Sequence, residues 1–455
     1  MKRLLSCLAA AACGPSAPVA APSPAPPQTI VAPAPTPDAG APPAATPEAR
    51  ASELLGAFGN NDFDAVEATF DPDVATALPK DKITALWKQV QGTAGAFRSC
   101  DAPRRKSAKP GQPTIVVVPC RFAKGVLDVV VALDDKLRVA GLHLTPHESA
   151  LPWSPPPYAA AAAHTRELLV GDLGGTLTVP GGAGPVPCVV LVHGSGPNDR
   201  DETIGPNKVF ADLSAGLAGH RIATLRYDKR TRVKAETLPK ELTVEDETIK
   251  DAVIAVEVCA AQPEIDHKRV YVLGHSLGAY VGPRIAKQSK DLAGLILLAA
   301  PTRDLADLMV DQLTYLAADA KTIEDAKAGA KRVHELQAGA ASVPGETDLG
   351  VPASYWKDLA KYDPTALAAS LAVPILVGQG GRDYQVSATL DFPAWQKALG
   401  SKPHDKLVVW PKLNHLLIAG EGPSKPAEYE RPDHVDELVI RDVADFIAPT
   451  NAKGR

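Results

Sequence analysis

The sequence predicts an α/β fold in which a mostly parallel central sheet carries a helical cap insertion and follows a small α+β domain. Three observations lead there. Uninterrupted apolar runs such as Cys188-Val189-Val190-Leu191-Val192, Leu295-Ile296-Leu297-Leu298 and Pro374-Ile375-Leu376-Val377 read as buried parallel strands, with helical periodicity between them. Several of these runs end in glycine-bearing loops, on the rim where an open α/β sheet gathers its functional side chains. Upstream, Val116-Val117-Val118 and Leu127-Asp128-Val129-Val130-Val131 are alternating or β-branched, which favours a separate antiparallel sheet.

The elements follow in chain order. Lys2 and Arg3 precede the apolar stretch Leu4 to Ala12, a leader of secretory type too short to cross a membrane as a helix. Its end, Leu8-Ala9-Ala10-Ala11-Ala12-Cys13-Gly14, resembles a bacterial lipoprotein processing site, which implies a lipid on Cys13. Ala10 stands where such signals carry a larger aliphatic residue, so ordinary cleavage among the alanines is the alternative expectation. Residues 1–13 are thus the leader. Residues 14–50, dominated by Pro, Ala and Thr, form an extended tether with too little apolar surface for a core.

Residues 51–150 are expected to form the small α+β domain. Phe63 to Val66 and Trp87 to Val90 supply helical segments, and Asp134-Asp135-Lys136 turns the chain into a strand from Leu137 to Leu144. No nucleophile and base fall together there, so the domain is a packing, substrate-positioning or interaction module. A Pro/Ala-rich linker spans 151–164, and the larger domain occupies 165–449. Within it, Asp172-Leu173-Gly174-Gly175 reads as a strand-connecting turn, Phe210 to Leu217 as a helix and Arg221 to Asp228 as the next strand with its rim loop. Thr243 or Glu245 caps a helix running through Val256. Leu305, Leu308, Met309, Leu313 and Leu316 recur at helical spacing, and a charged helical run continues through Leu336. Residues around 304–360 are therefore the cap, whose apolar faces either line a substrate pocket or pack onto the core.

Chemistry concentrates at Val272-Leu273-Gly274-His275-Ser276-Leu277-Gly278-Ala279, an apolar strand entering a Gly-x-Ser-x-Gly turn before a helix. Small residues two positions either side of Ser276 permit the crowded bend. A serine hydroxyl needs a base to become a nucleophile, and the base needs an orienting group. Asp383 follows the strand ending at Gly378, and His415 follows the strand Lys406 to Trp410. Ser276, Asp383 and His415 thus come in the order nucleophile, acid, histidine, each in a loop after a strand. The strand Cys188 to Val192 ends in His193-Gly194-Ser195-Gly196-Pro197, a loop able to present a backbone N–H to developing negative charge. Ser195 is the first choice for that donor, with Gly194 and Gly196 as alternatives, and the Leu277 N–H is the second donor. His193 is read as shaping the loop rather than as a second base. Asp228, Lys229, Arg230 and Arg232, with Asn198-Asp199-Arg200-Asp201, read first as ion pairs fixing the rim loops and otherwise as charges focused onto a substrate.

These residues resemble a bacterial α/β-hydrolase family of small esterases and acyl hydrolases, often preceded by a domain of the type called DUF3887. The resemblance rests on His193 to Asp201, Leu225-Arg226-Tyr227-Asp228-Lys229-Arg230 and the Gly274 to Ala279 turn, and covers roughly Leu168 to Ile447. It implies hydrolysis of carboxylic esters of small or medium acyl groups at Ser276, with Asp383 and His415 completing the triad. The same triad serves peptidases, thioesterases and acyltransferases, and an inactive scaffold would serve as an envelope interaction module.

A net charge of −5 offers no broad attraction to nucleic acid, so a small acylated substrate is the expected partner. No cofactor is expected, and no His-Glu-x-x-His or other pattern calls for a metal. The six cysteines are too dilute for a disulfide-built scaffold; Cys100 and Cys120 are either bridged or separately reduced. The leader places the protein in the bacterial cell envelope, lipid-anchored, or otherwise periplasmic or secreted. Nothing in the sequence sets its oligomeric state.

Overall fold

The computed structural model describes residues 46–106, 113–123, 125–146, 153–160, 163–343, 347–360 and 362–448. The leader, Cys13 and most of the tether lie outside them. The chain divides into two compact units, one up to His147 and one from Glu148 onward, apart from the leader residues.

In the first unit a helix spans Pro47–Gly59, capped by the Thr46 side chain accepting from the Ala49 N–H. Proline at the first helical position costs no hydrogen bond, because that N–H has no intrahelical partner. The tether therefore stops short of residue 50, a correction that the proline-rich composition concealed. Helices Phe63–Ala68, Pro72–Ala77 and Lys80–Ala94 follow. The antiparallel strands Thr114–Phe122, Gly125–Leu133 and Val139–Pro146 form a meander, flanked by Phe97–Cys100. Leu54, Phe58, Trp87, Val116, Val118 and Val131 bury the helical faces against this sheet. Cys100 lies directly opposite Cys120 in the ladder, and the two are bridged.

The second unit holds an eight-stranded sheet: β1 His164–Val170, β2 Leu173–Val179, β3 Val186–Val192, β4 Ala223–Tyr227, β5 Ile265–His275, β6 Gly294–Leu298, β7 Ile375–Gly380 and β8 Lys406–Trp410. Their order is β8-β7-β6-β5-β3-β4-β2-β1. From β4 to β8 the pairings are parallel, while β2 pairs antiparallel with both β4 and β1. All seven residues of β3 are buried, as a strand covered on both faces requires. One apolar cluster lies on each side of the sheet, with Val190 and Val272 in one and Val189 and Leu273 in the other, as a period-2 pleat dictates. Gly174 and Gly175 lie inside β2 rather than in a turn; the turn uses Gly171 at φ 59°. A side chain at Gly174 would run into the Arg200 guanidinium, which pairs with Asp228.

Helix α1 spans Val209–Gly219 and α2 spans Lys250–Ala260, preceded by a π-helical turn over Glu245–Ile249. Thr243 caps that turn, its hydroxyl donating to Asp246 and accepting from the Asp246 N–H. Helix α3, Leu277–Gln288, leaves the tip of β5. A second disulfide, not foreseen in the sequence, joins Cys188 of β3 to Cys259 of α2. Between β6 and β7 lie α4 Leu305–Tyr315, α5 Ala320–Gln337 and α6 Ala353–Leu359. Ala330, Val333 and Leu336 of α5 join the second unit's larger apolar cluster, so this face packs onto the core. Among the described residues no helix is long and apolar enough to cross a membrane.

Candidate active site

Ser276 sits at the junction of β5 and α3 with φ 53° and ψ −114°. That backbone conformation costs a non-glycine residue on the order of 1–3 kcal/mol and survives only where the surroundings impose it. Here they do. A Cβ at Gly274 would overlap the Gly278 carbonyl, and one at Gly278 would overlap the Val192 carbonyl of β3. The Ser276 N–H donates to the Leu298 carbonyl at the end of β6, and the Ser276 carbonyl accepts from Tyr280 as the helix begins.

The acid and the histidine arise from the two strands at the sheet's β8 edge. Asp383 follows β7 and its side chain is fully buried. Its Oδ1 accepts from the N–H groups of Gln385 and Val386, at 2.8 and 3.0 Å. Its Oδ2 accepts from Gln379 Nε2 at 3.0 Å and from His415 Nδ1 at 2.8 Å. That last bond places the His415 proton on Nδ1 and leaves Nε2 as the basic nitrogen. His415 is fixed by its neighbour: the buried Asn414 Oδ1 accepts from the Leu416 and Ile418 N–H groups, tightening the turn around it. Among the described residues the Ser276 hydroxyl makes no hydrogen bond.

The glycine loop after β3 lies against this serine. A Cβ on Gly194 would stand 3.2 Å from Ser276 Cβ. The Gly194 N–H is already taken, donating to Glu202 Oε1 at 2.6 Å, which removes Gly194 as an oxyanion donor. Ser195 is exposed, and among the described residues its N–H has no acceptor. The Leu277 N–H, at the first position of α3, has no intrahelical acceptor either. His193 is buried, stacks edge-on against Tyr227 and tilted on Phe210 with centroids 5.2 Å away, and is held neutral: burial drives its pKa down to about 4.

Two charged groups escaped the sequence reading. Glu202 and His275, both 2 % exposed, lie 3.0 Å apart through Oε2 and Nδ1, and His275 Nε2 donates to the His415 carbonyl at 2.9 Å. Burial pulls the His275 imidazole down most strongly, but the Glu202 charge and contact, the His415 carbonyl and the Asp383 charge together outweigh it and hold the pKa above its usual value. Burial likewise pushes the Glu202 carboxyl up, and the His275 charge leaves it below its usual value. His275 is the variable position of the Gly-x-Ser-x-Gly turn, and Glu202 lies in a loop without periodicity, so nothing local marks either as buried.

The expected ion pairs on the rim are present: Arg200 with Asp228, and Arg230 with Asp172 and Asp251. From the cap, α4 reaches the acid loop, where Tyr315 stacks on Tyr384 at 5.0 Å and Gln312 donates to the Gln385 carbonyl. A cavity of about 420 Å³ bordered by Tyr280, Arg303, Tyr362 and Asp363 includes none of Ser276, Asp383 and His415 in its lining. The reacting groups, not that cavity, locate the site.

A strained serine between sheet and helix, a buried histidine–carboxylate pair on the neighbouring strand ends and free backbone amides beside the serine define a serine hydrolase of the α/β class. Residues 189–431 match the model of the alpha/beta hydrolase family, and the chain belongs to that family. Residues 51–142 match the model described as a protein of unknown function (DUF3887). The chain is similar to esterase EstD of Thermotoga maritima, with 39% identity over 376 residues, 82% of this chain and 88% of the relative. Among solved structures it is similar to Est1E from Butyrivibrio proteoclasticus, at 16% identity and TM-score 0.39, covering 62% of this chain and 97% of that one. A protein from Klebsiella pneumoniae described as a putative dienelactone hydrolase matches at 15% identity and TM-score 0.38, covering 64% of this chain and 100% of that one.

Proposed function

We propose that this protein is a carboxylesterase that cleaves esters of small or medium acyl groups through an acyl-serine intermediate at Ser276. The observation that carries this reading is the fully anchored Asp383–His415 pair emerging beside the strained Ser276 elbow. The identity with a curated esterase over most of both chains supports ester hydrolysis.

The chemistry follows from where charge develops. His415 Nε2 accepts the Ser276 proton as Oγ attacks the ester carbonyl carbon. Asp383, held by three donors besides the imidazole, keeps the ring oriented and stabilises its protonated form. The carbonyl oxygen, now negative, accepts from the N–H groups of Leu277 and Ser195. The imidazolium then gives its proton to the departing alkoxide. Water, deprotonated by the neutral imidazole, reverses the sequence on the acyl-serine and releases the acid.

The leader points to export, and two disulfides among the described cysteines suit an oxidising compartment, where such bonds persist. We place the protein in the cell envelope with a lipid on Cys13 and the Pro/Ala-rich stretch as spacer. Labelled fatty acid incorporated by the wild type and lost in Cys13→Ala would verify the anchor; unchanged incorporation would refute it. For catalysis, hydrolysis of nitrophenyl esters from acetyl to decanoyl by leaderless protein tests the reading. Turnover that disappears in Ser276→Ala is expected, with a chain-length optimum that measures the acyl pocket. Folded protein without turnover, unreactive towards a fluorophosphonate, would defeat it.

A further inference from the structure

The glycine loop beside Ser276 is gripped from below by a buried charge. Lys229, 2 % exposed, donates from Nζ to the Gly194 carbonyl at 2.8 Å and to Glu247 Oε1 at 2.6 Å. Glu247, 3 % exposed, accepts in turn from the Tyr355 hydroxyl at 2.7 Å through Oε2. It projects from the π-helical turn Glu245–Ile249, a local widening that helices often carry at functional sites. Asn198 Nδ2 adds bonds to the carbonyls of Gly194, at 3.2 Å, and Ser195, at 3.1 Å.

Stability alone does not account for this arrangement. A buried ion pair loses more hydration than its attraction returns in many proteins, and apolar residues of equal volume hold a core as well or better. What Lys229 touches is more informative. The Gly194 carbonyl and the Ser195 N–H are two ends of one planar trans peptide and point in opposite directions. A cation fixed on the carbonyl oxygen therefore aims the N–H away from itself and draws electron density from it, making the amide a stronger donor. The other bond to Gly194, from its N–H to Glu202, fixes the preceding peptide, so the residue is held on both sides.

We infer that Lys229 is a positioning residue for the oxyanion site, acting through the Gly194–Ser195 peptide to orient and polarise the Ser195 N–H, with Glu247 holding the ammonium in place. This rests on the esterase reading above. It implies that Lys229 contributes to transition-state binding and not to ground-state substrate binding, because the carbonyl of a bound ester carries little of the charge that the amide meets later.

The test replaces the buried pair by neutral groups of similar shape, in the variant Lys229→Met/Glu247→Gln, so that no lone charge is left inside. Asn198→Ala, at a half-buried position, weakens the same carbonyl contact without disturbing the pair. Three quantities are read: kcat and KM on the best nitrophenyl ester, and affinity for an aryl trifluoromethyl ketone. In that adduct Ser276 Oγ bonds to the ketone carbon, the carbonyl electron pair moves onto oxygen, and the serine proton passes to His415, so the inhibitor carries the oxyanion.

The double variant is expected to lose about 100-fold in kcat, the scale of one oxyanion donor, with KM within about threefold of wild type. Ketone affinity should fall in proportion to kcat/KM. Asn198→Ala should show the same parallel loss at about threefold to tenfold. If kcat falls while ketone affinity holds, or if KM alone rises, Lys229 is merely structural and the proposal is overturned. Should the double variant fail to fold, unchanged kinetics and ketone affinity in Asn198→Ala overturn it equally. Wild-type protein lacking Ser276-dependent turnover would instead bring down the esterase reading, and this proposal with it.

Discussion

Two buried histidine–carboxylate pairs lie together at the elbow, their imidazole centroids 4.9 Å apart, and only one of them can work as a base. His415 gives Nδ1 to Asp383 and keeps Nε2 open. His275 faces Glu202 across 3.0 Å with Nδ1, which makes no hydrogen bond, and spends Nε2 on the His415 carbonyl. The same two residue types therefore do different things. In the first pair the carboxylate prepares an imidazole to take a proton; in the second, the charge pair ties the glycine loop, through Gly194, to the backbone of the catalytic histidine. The hydrogen bond from imidazole to carboxylate, which His415 makes and His275 does not, rather than proximity to the serine, separates base from brace. His193 makes a third case, buried among aromatic rings and held neutral by burial.

Asp383→Asn would break this contrast most severely. An amide in place of the carboxylate cannot accept the Nδ1 proton in the same way while also meeting the two backbone donors, and kcat is expected to drop about 10⁴-fold with the fold intact by circular dichroism.

Acid stability probes the neutral histidine next. The pKa of His193 is depressed from 6.5 to about 4, so below pH 6.5 the unfolded chain takes up a proton that the folded chain refuses. Stability is lost as pH falls from 6.5 towards 4, by about 3 kcal/mol from this group. His193→Phe should flatten that part of a denaturant-midpoint profile relative to wild type; parallel profiles would show that the histidine is not held neutral.

Glu202→Gln keeps an acceptor for the Gly194 N–H but removes the charge facing His275. A loss of about 1–3 kcal/mol is expected, with activity reduced only about tenfold. His275 is raised, so its share of stability disappears as pH climbs through its folded pKa. Glu202 is lowered, so its share disappears as pH falls through its own. The difference between variant and wild type should therefore peak between those two values and shrink on both sides. A loss comparable to that of Asp383→Asn would make the second pair catalytic after all.

Relief of strain gives a smaller effect of opposite sign. Ser276→Gly removes the side chain that makes φ 53° unfavourable, and should raise stability by about 1 kcal/mol while abolishing turnover. The smallest change belongs to Ser195→Ala: its backbone N–H is the proposed donor and remains, so kcat/KM should stay within about threefold. A loss of 100-fold would transfer the role to the hydroxyl.

Much of this site is legible in the sequence because its parts are local. Gly274, Ser276 and Gly278 declare a bend that only small neighbours permit, and Asp383 and His415 each follow a recognisable apolar strand. The His193 to Pro197 loop is equally visible after β3. The clamp under the glycine loop is only half legible. Lys229 reads as one of the ion pairs fixing the rim loops, but its partner Glu247 and the burial of both do not show, since a glutamate in the first turn of a helix is usually solvated. Their burial comes from packing β4's end under the glycine loop and from the π-helical turn, and both depend on contacts between segments distant in sequence. Cys188 and Cys259 are likewise unremarkable until β3 and α2 pack side by side, with 71 residues between them.

The sequence by itself determined the sheet, the elbow, the order of the three reacting residues and the two-part organisation, because each rests on short-range patterns of apolar spacing and turn chemistry. Tertiary structure alone decided which glycine-loop amide stays free, which histidine is hydrogen-bonded to its carboxylate and which charges are buried. Those are properties of hydrogen-bond occupancy, and occupancy is settled only when distant segments compete for the same donors and acceptors.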